Sequence, residues 1–66
     1  MDEWIGTAIG KMHLHKITQN EVAAEMGIRR DHLNKILNGK EKPKGAAERV
    51  TAAIDRIIAR RIDMEV

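Results

Sequence analysis

Apolar residues recur along this chain at intervals of three and four, and β-branched residues never alternate in the period-two pattern of a strand, which builds helices with one buried face and predicts no sheet. Trp4, Ile5, Ala8, Ile9 and Met12 share one face of a first helix over about residues 2–13. Gly6 and Gly10 weaken that helix by about 1 kcal/mol each relative to alanine, so it needs tertiary support. Val22, Ala23 and Met26 mark a second, shorter helix, and Leu33, Ile36 and Leu37 a third. Ala47, Val50, Ile54, Ile57 and Ile58 continue the rhythm through a fourth helix over about residues 46–63, the longest of the set.

The ends of these segments carry their own signals. Thr18-Gln19-Asn20-Glu21 fits a capping box, in which a hydroxyl and a carboxylate each satisfy a free amide of the first turn. Ile17 and Val22 are spaced to form the accompanying hydrophobic staple. Gly27 predicts the stop of this second helix after about eight residues, because a residue without Cβ enters the left-handed conformation freely. Asn38-Gly39 stops the third helix in the same way. Lys40-Glu41-Lys42-Pro43-Lys44-Gly45 then reads as a basic, exposed connection.

Two short helices joined by a tight glycine turn cross closely only if the residue at the crossing is small, and Ala23, four residues before Gly27, meets that demand. The fold expected is therefore all-α, a bundle of four helices forming one domain over residues 1–66, with a helix-turn-helix at about 18–38. Its predicted core is Ile5, Ala8, Ile9, Val22, Ala23, Met26, Ile28, Leu33, Ile36, Val50 and Ile54. The opposite face of the third helix stays outside and is polar: Arg29, Arg30, Asp31, Asn34 and Lys35.

With cap, small residue, glycine and apolar positions in register, residues 17–43 resemble the phage-repressor and Cro group of the XRE-type helix-turn-helix family. The matching run is Thr18 to Ile28, then Leu33, Ile36 and Asn38-Gly39-Lys40, with Pro43 close behind. The resemblance implies a small lambda-repressor-like bundle whose third helix lies in the major groove of double-stranded DNA. Carried over residue by residue, Arg30, Asp31 and Lys35 match base-reading positions, with Arg29 and Asn34 next in line. Gln19 and Asn38 match phosphate-gripping positions, and His32, Lys40 and Lys42 are added to the phosphate set.

The chemistry suits these roles, since arginine donates two parallel bonds to guanine, lysine reaches guanine or phosphate, and aspartate accepts from cytosine. Asp31 has an alternative: four residues before Lys35, it has the spacing of an intrahelical ion pair. Three departures from the family stand out. Where relatives usually cap the third helix with Ser or Thr, this chain has Arg29, a poor cap, which points to a later start with Asp31 as the cap. Met12 occupies the place where many relatives carry an arginine for the acid at Glu21, leaving Glu21 its capping box alone. A fifth helix is missing, so the relatives' dimer geometry does not carry over.

Charge and composition narrow the reading further. Net charge is only +2, yet residues 29–44 hold six cations against two acids, while residues 1–28 hold two against four and residues 45–66 four against four. A concentrated basic stretch in a balanced chain suits a phosphate-tracking surface. There is no Cys, Ser or Tyr, so Thr7, Thr18 and Thr51 are the sole hydroxyl side chains, and no glycine-rich phosphate loop appears. An enzyme is not expected, nor a cofactor. His13, His15 and His32 fall short of a zinc ligand set.

No apolar run has the length of a membrane span, and the chain reads as cytoplasmic. Small size, together with Ile57, Ile58, Ile62 and Met64 lying further out than a core of this size covers, predicts a homodimer joined through the last helix. The competing reading is a protein-binding module on the same fold, such as an antitoxin or a phage assembly factor.

Overall fold

The computed structural model describes residues 2–64, Met64 by its backbone alone. Within them run four helices and no strand: α1 (Glu3–Leu14), α2 (Gln19–Met26), α3 (Arg30–Leu37) and α4 (Ala46–Met64). The long α4 is the spine, with α1 and α2 packed against it and α3 packed against α2.

Three helices end in the same motif, a left-handed residue flanked by two amides that fold back on the last turn. At α2 this residue is Gly27, with φ +72°; its N–H donates to the Ala24 carbonyl at 3.2 Å, and the Ile28 N–H to the Ala23 carbonyl at 3.0 Å. Gly39, φ +76°, does the same for α3, where the Lys40 N–H reaches the Lys35 carbonyl at 2.9 Å. At α1 the position falls to Lys16, φ +54°, a conformation that costs a residue with a Cβ. The Ile17 N–H closes that turn on the Met12 carbonyl at 2.8 Å and carries Ile17 into the core.

The α2 start is the capping box foreseen. Thr18 Oγ1 accepts from the Glu21 N–H at 3.2 Å, and Glu21 Oε1 accepts from the Thr18 N–H at 3.1 Å. Ile17 and Val22 on either side are both buried. The α3 start differs from expectation: the helix begins at Arg30, with Arg29 as an N-cap that makes no side-chain bond, and Asp31 lies inside the first turn. Tight closure of the Gly27 turn fixes where α3 begins, and no side-chain cap is needed to define it.

The core is one apolar cluster. Ile5, Ala8, Val22, Ala23, Leu33, Ile36, Val50 and Ile54 are buried as expected, joined by Met12, Ile17, Leu37, Ala46, Ala53 and Ile57. Ile9, Met26 and Ile28 are only half-buried at its edge. Residues 5, 8 and 12 define the inner face of α1, and Ile9 lies about 100° round from Ala8.

The outward stripe expected on α4 is largely absent. Ile57 is 4% exposed and Ile58 half-buried against the core, because α1 and α2 cover α4 well past its middle. Of that group Ile62 alone is shown open, at 57%; the Met64 side chain lies outside the described residues.

Candidate nucleic-acid interface

Burial of Leu33, Ile36 and Leu37 turns the remaining faces of α3 to solvent, so Arg30, Asp31, His32, Asn34 and Lys35 are all exposed, with Arg29 just before them. Arg30, Asp31, Asn34, Lys35 and Lys40 border one shallow hollow, while Arg29, His32 and Glu41 border a second that shares Asp31 and Lys35. The three residues matched to base-reading positions, Arg30, Asp31 and Lys35, therefore stand together on one surface. Asp31 and Lys35 form no ion pair within 4.0 Å, so the intrahelical pairing considered for them is not made.

Pairing of the other charges sorts the cations into two groups. Glu25, largely covered, takes Arg56 at 2.9 Å and Arg60 at 2.5 Å, which binds α4 to α2. Arg61 donates to Glu21 Oε2 at 2.7 Å and also caps the carbonyls of His15 and Lys16 at the end of α1. Glu21 thus does more than close its capping box. Its second oxygen receives an arginine from α4, a partner that the local sequence around Glu21 does not supply.

These contacts hold both carboxyls below the ordinary glutamate value of 4.5. For Glu21 the main cause is the backbone amide of Thr18, with Arg61 adding to it; for Glu25 the causes are Arg60 and then Arg56. Lys11 pairs with Asp55 at 3.2 Å, and Lys42 approaches Asp2 at 3.9 Å. The cations left without an acid partner among the described residues are Lys16, Arg29, Arg30, Lys35, Lys40, Lys44 and Arg49. Five of these seven belong to residues 29–44.

The neutral members of the phosphate set are also brought together. Gln19, the first residue of α2, accepts from Asn34 Nδ2 at 3.3 Å, and Asn34 Oδ1 accepts from Asn38 Nδ2 at 2.8 Å. A bridging role for Asn34 could not be read from spacing along one helix, because Gln19 is fifteen positions away on another. His32 lies apart from this group, with Nε2 3.1 Å from Glu41 Oε2. That carboxylate occupies the imidazole which the sequence assigned to phosphate.

Among the described residues no cluster of three or more His, Asp or Glu side chains is placed to hold a metal ion, and no helix is long and apolar enough to cross a membrane. No curated protein and no solved structure matches the chain. The helix-turn-helix family model matches residues 12–47, from the last three residues of α1 through α2, α3 and the basic connection into the start of α4. That match covers more than half of the chain and spans the exposed α3 face with its unpaired cations, and the chain belongs to the XRE-type helix-turn-helix family of DNA-binding regulators.

Proposed function

We propose that this chain is a sequence-specific transcriptional regulator of the phage or bacterial repressor type, its residues 1–66 acting in the cytoplasm as one binding domain and not as an enzyme. The observation that carries the reading is the segregation of charge. The α4 arginines 56, 60 and 61 are spent on holding α2, while five of the seven unpaired cations gather between residues 29 and 44, on α3 and the segments either side of it. A polyanion docking there meets the guanidinium and ammonium groups of Arg29, Arg30, Lys35, Lys40 and Lys44 without first breaking an ion pair. The same face carries no large apolar anchor of the kind a protein partner would grip, which favours DNA over the antitoxin or assembly-factor reading.

In this reading α3 enters the major groove. Arg30, Asp31 and Lys35 read base edges, with Arg29 at the helix start. Gln19, Asn38 and Lys40 hold phosphates, and Lys42 and His32 join them when they leave Asp2 and Glu41. Selection from a random duplex pool, followed by titration of the selected site, tests it. Affinity should fall with salt at a log–log slope near −0.9 per phosphate neutralised. Arg30→Ala should lose roughly 1–3 kcal/mol on the selected site and relax preference at one base position. No duplex binding at low salt, or unchanged site preference in Arg30→Ala, would remove the major-groove assignment.

A single recognition helix spans only a few base pairs, so the regulator is read as a symmetric homodimer. Its contact lies at the end of α4, where Ile62 is open and where Leu14, 78% exposed, closes α1. The two flank the Arg61–His15 contact in sequence, at the same end of the bundle.

A further inference from the structure

We propose that Asn34 reads no base but acts as a positioning residue, orienting the carboxamide of Gln19 as a phosphate donor. The inference rests on the DNA-binding reading above and assigns a role within that site. Three carboxamides from two helices form a one-way chain: Asn38 Nδ2 donates to Asn34 Oδ1 at 2.8 Å, and Asn34 Nδ2 donates to Gln19 Oε1 at 3.3 Å. A carboxamide has one acceptor oxygen and two N–H donors. With its oxygen engaged by Asn34, Gln19 keeps both Nε2 protons without a protein partner.

Phosphate oxygens only accept, so the direction of the chain matters. Turned the other way, Gln19 would set a carbonyl oxygen against the phosphate. The position adds to the effect, because Gln19 opens α2, where free amides and the positive end of the helix favour an anion. Asn34 is also half-used by its two neighbours, while Arg30, Asp31 and Lys35 on the same helix make no side-chain hydrogen bond or ion pair among the described residues. Base reading through Asn34 would have to break or share bonds that already tie α3 to α2.

The test is a double-mutant cycle of Gln19→Ala and Asn34→Ala, with binding measured on the selected duplex and on its single-base variants. Asn34 is exposed and alanine is the better helix former, so the substitution does not threaten folding. Asn34→Ala should weaken binding to every duplex alike, by roughly three- to tenfold, the worth of one neutral hydrogen bond. The ranking of sites and the salt slope should stay as in the parent, because a neutral amide displaces no counterion. In the Gln19→Ala background the same substitution should have no further effect.

Asn34→Asp offers acceptors only and forces Gln19 to donate inward; it should also lose affinity for all duplexes, and by more than Asn34→Ala. Loss of preference at one base position in Asn34→Ala, an equal loss with and without Gln19, or full affinity in Asn34→Ala would each overturn the proposal. A parent that binds no duplex would instead overturn the DNA-binding reading, and this role with it.

Discussion

Single side chains decide how the ends of these helices are held. Lys16 adopts φ +54° because the α1 motif requires a left-handed residue there, and it gains nothing from its own side chain in return. Lys16→Gly should therefore stabilise the protein, by about 0.5–1 kcal/mol, read as a rise in Tm. Arg61 works in the opposite sense, tying the His15 and Lys16 carbonyls and Glu21 to α4 with one guanidinium. Arg61→Ala should lower Tm by about 4–8 °C, the equivalent of about 1 kcal/mol in a domain this small.

Glu21 and Glu25 make stability depend on acid. Their carboxyls are held below 4.5 in the folded state, so between the two values the unfolded chain binds protons that the folded one does not. The contribution is complete above the unfolded value and is lost as pH falls through the lowered folded one. The part of stability that these two carboxylates supply should decline in thermal melts below about pH 4.5. Glu25→Gln should lower Tm at neutral pH and make that acid decline shallower. An unchanged pH profile would mean that the pairs with Arg56 and Arg60 contribute nothing to folding.

Among the elements, α2 combines the strongest local signals with the least capacity to stand alone. It has eight residues, of which Val22 and Ala23 are buried, and an isolated helix of that length is marginal in water. Its capping box fixes the first turn, and with it Gln19. Thr18→Ala should cost about 1 kcal/mol of stability and weaken DNA binding beyond that loss, because the turn bearing Gln19 frays. Restoration of both by Thr18→Ser, and by no non-capping residue, checks that the hydroxyl is responsible. The α3 helix has no such side-chain cap, and its start depends on the Gly27 turn and on burial of Leu33 and Ile36.

At the scale of the whole molecule, a chain of 66 residues has little interior to spare, and α4 is long enough to serve three purposes. Val50, Ala53, Ile54 and Ile57 form the floor of the core, the arginines hold α2, and Ile62 remains outside. Sedimentation equilibrium should find a dimer for the parent chain and monomers for Ile62→Asp and Leu14→Asp, both of which keep their fold because neither residue is buried. The monomeric variants should bind an isolated half-site about as the parent does and lose affinity on a two-fold site. A parent that is monomeric at high concentration, or variants as dimeric as the parent, would remove the dimer and leave the helix-turn-helix reading intact.

The sequence by itself determined the helices, their order and most of their ends, because capping residues, glycine stops and three-four periodicity act over a few neighbouring positions. It also determined the polar face of α3, since burying Leu33, Ile36 and Leu37 settles where Arg30, Asp31 and Lys35 must go. Tertiary structure alone decided the partners. No local rule joins Glu21 to Arg61 across forty positions, Glu25 to Arg56 and Arg60, or Asn34 to Gln19. The first two depend on how far along α4 the shorter helices lie and the last on how α3 crosses α2, and both are set by packing of the entire core. The same packing drew Ile57 inside and left Ile62 out. Periodicity places both on an apolar stripe, but the extent of the covering helices belongs to the assembled bundle.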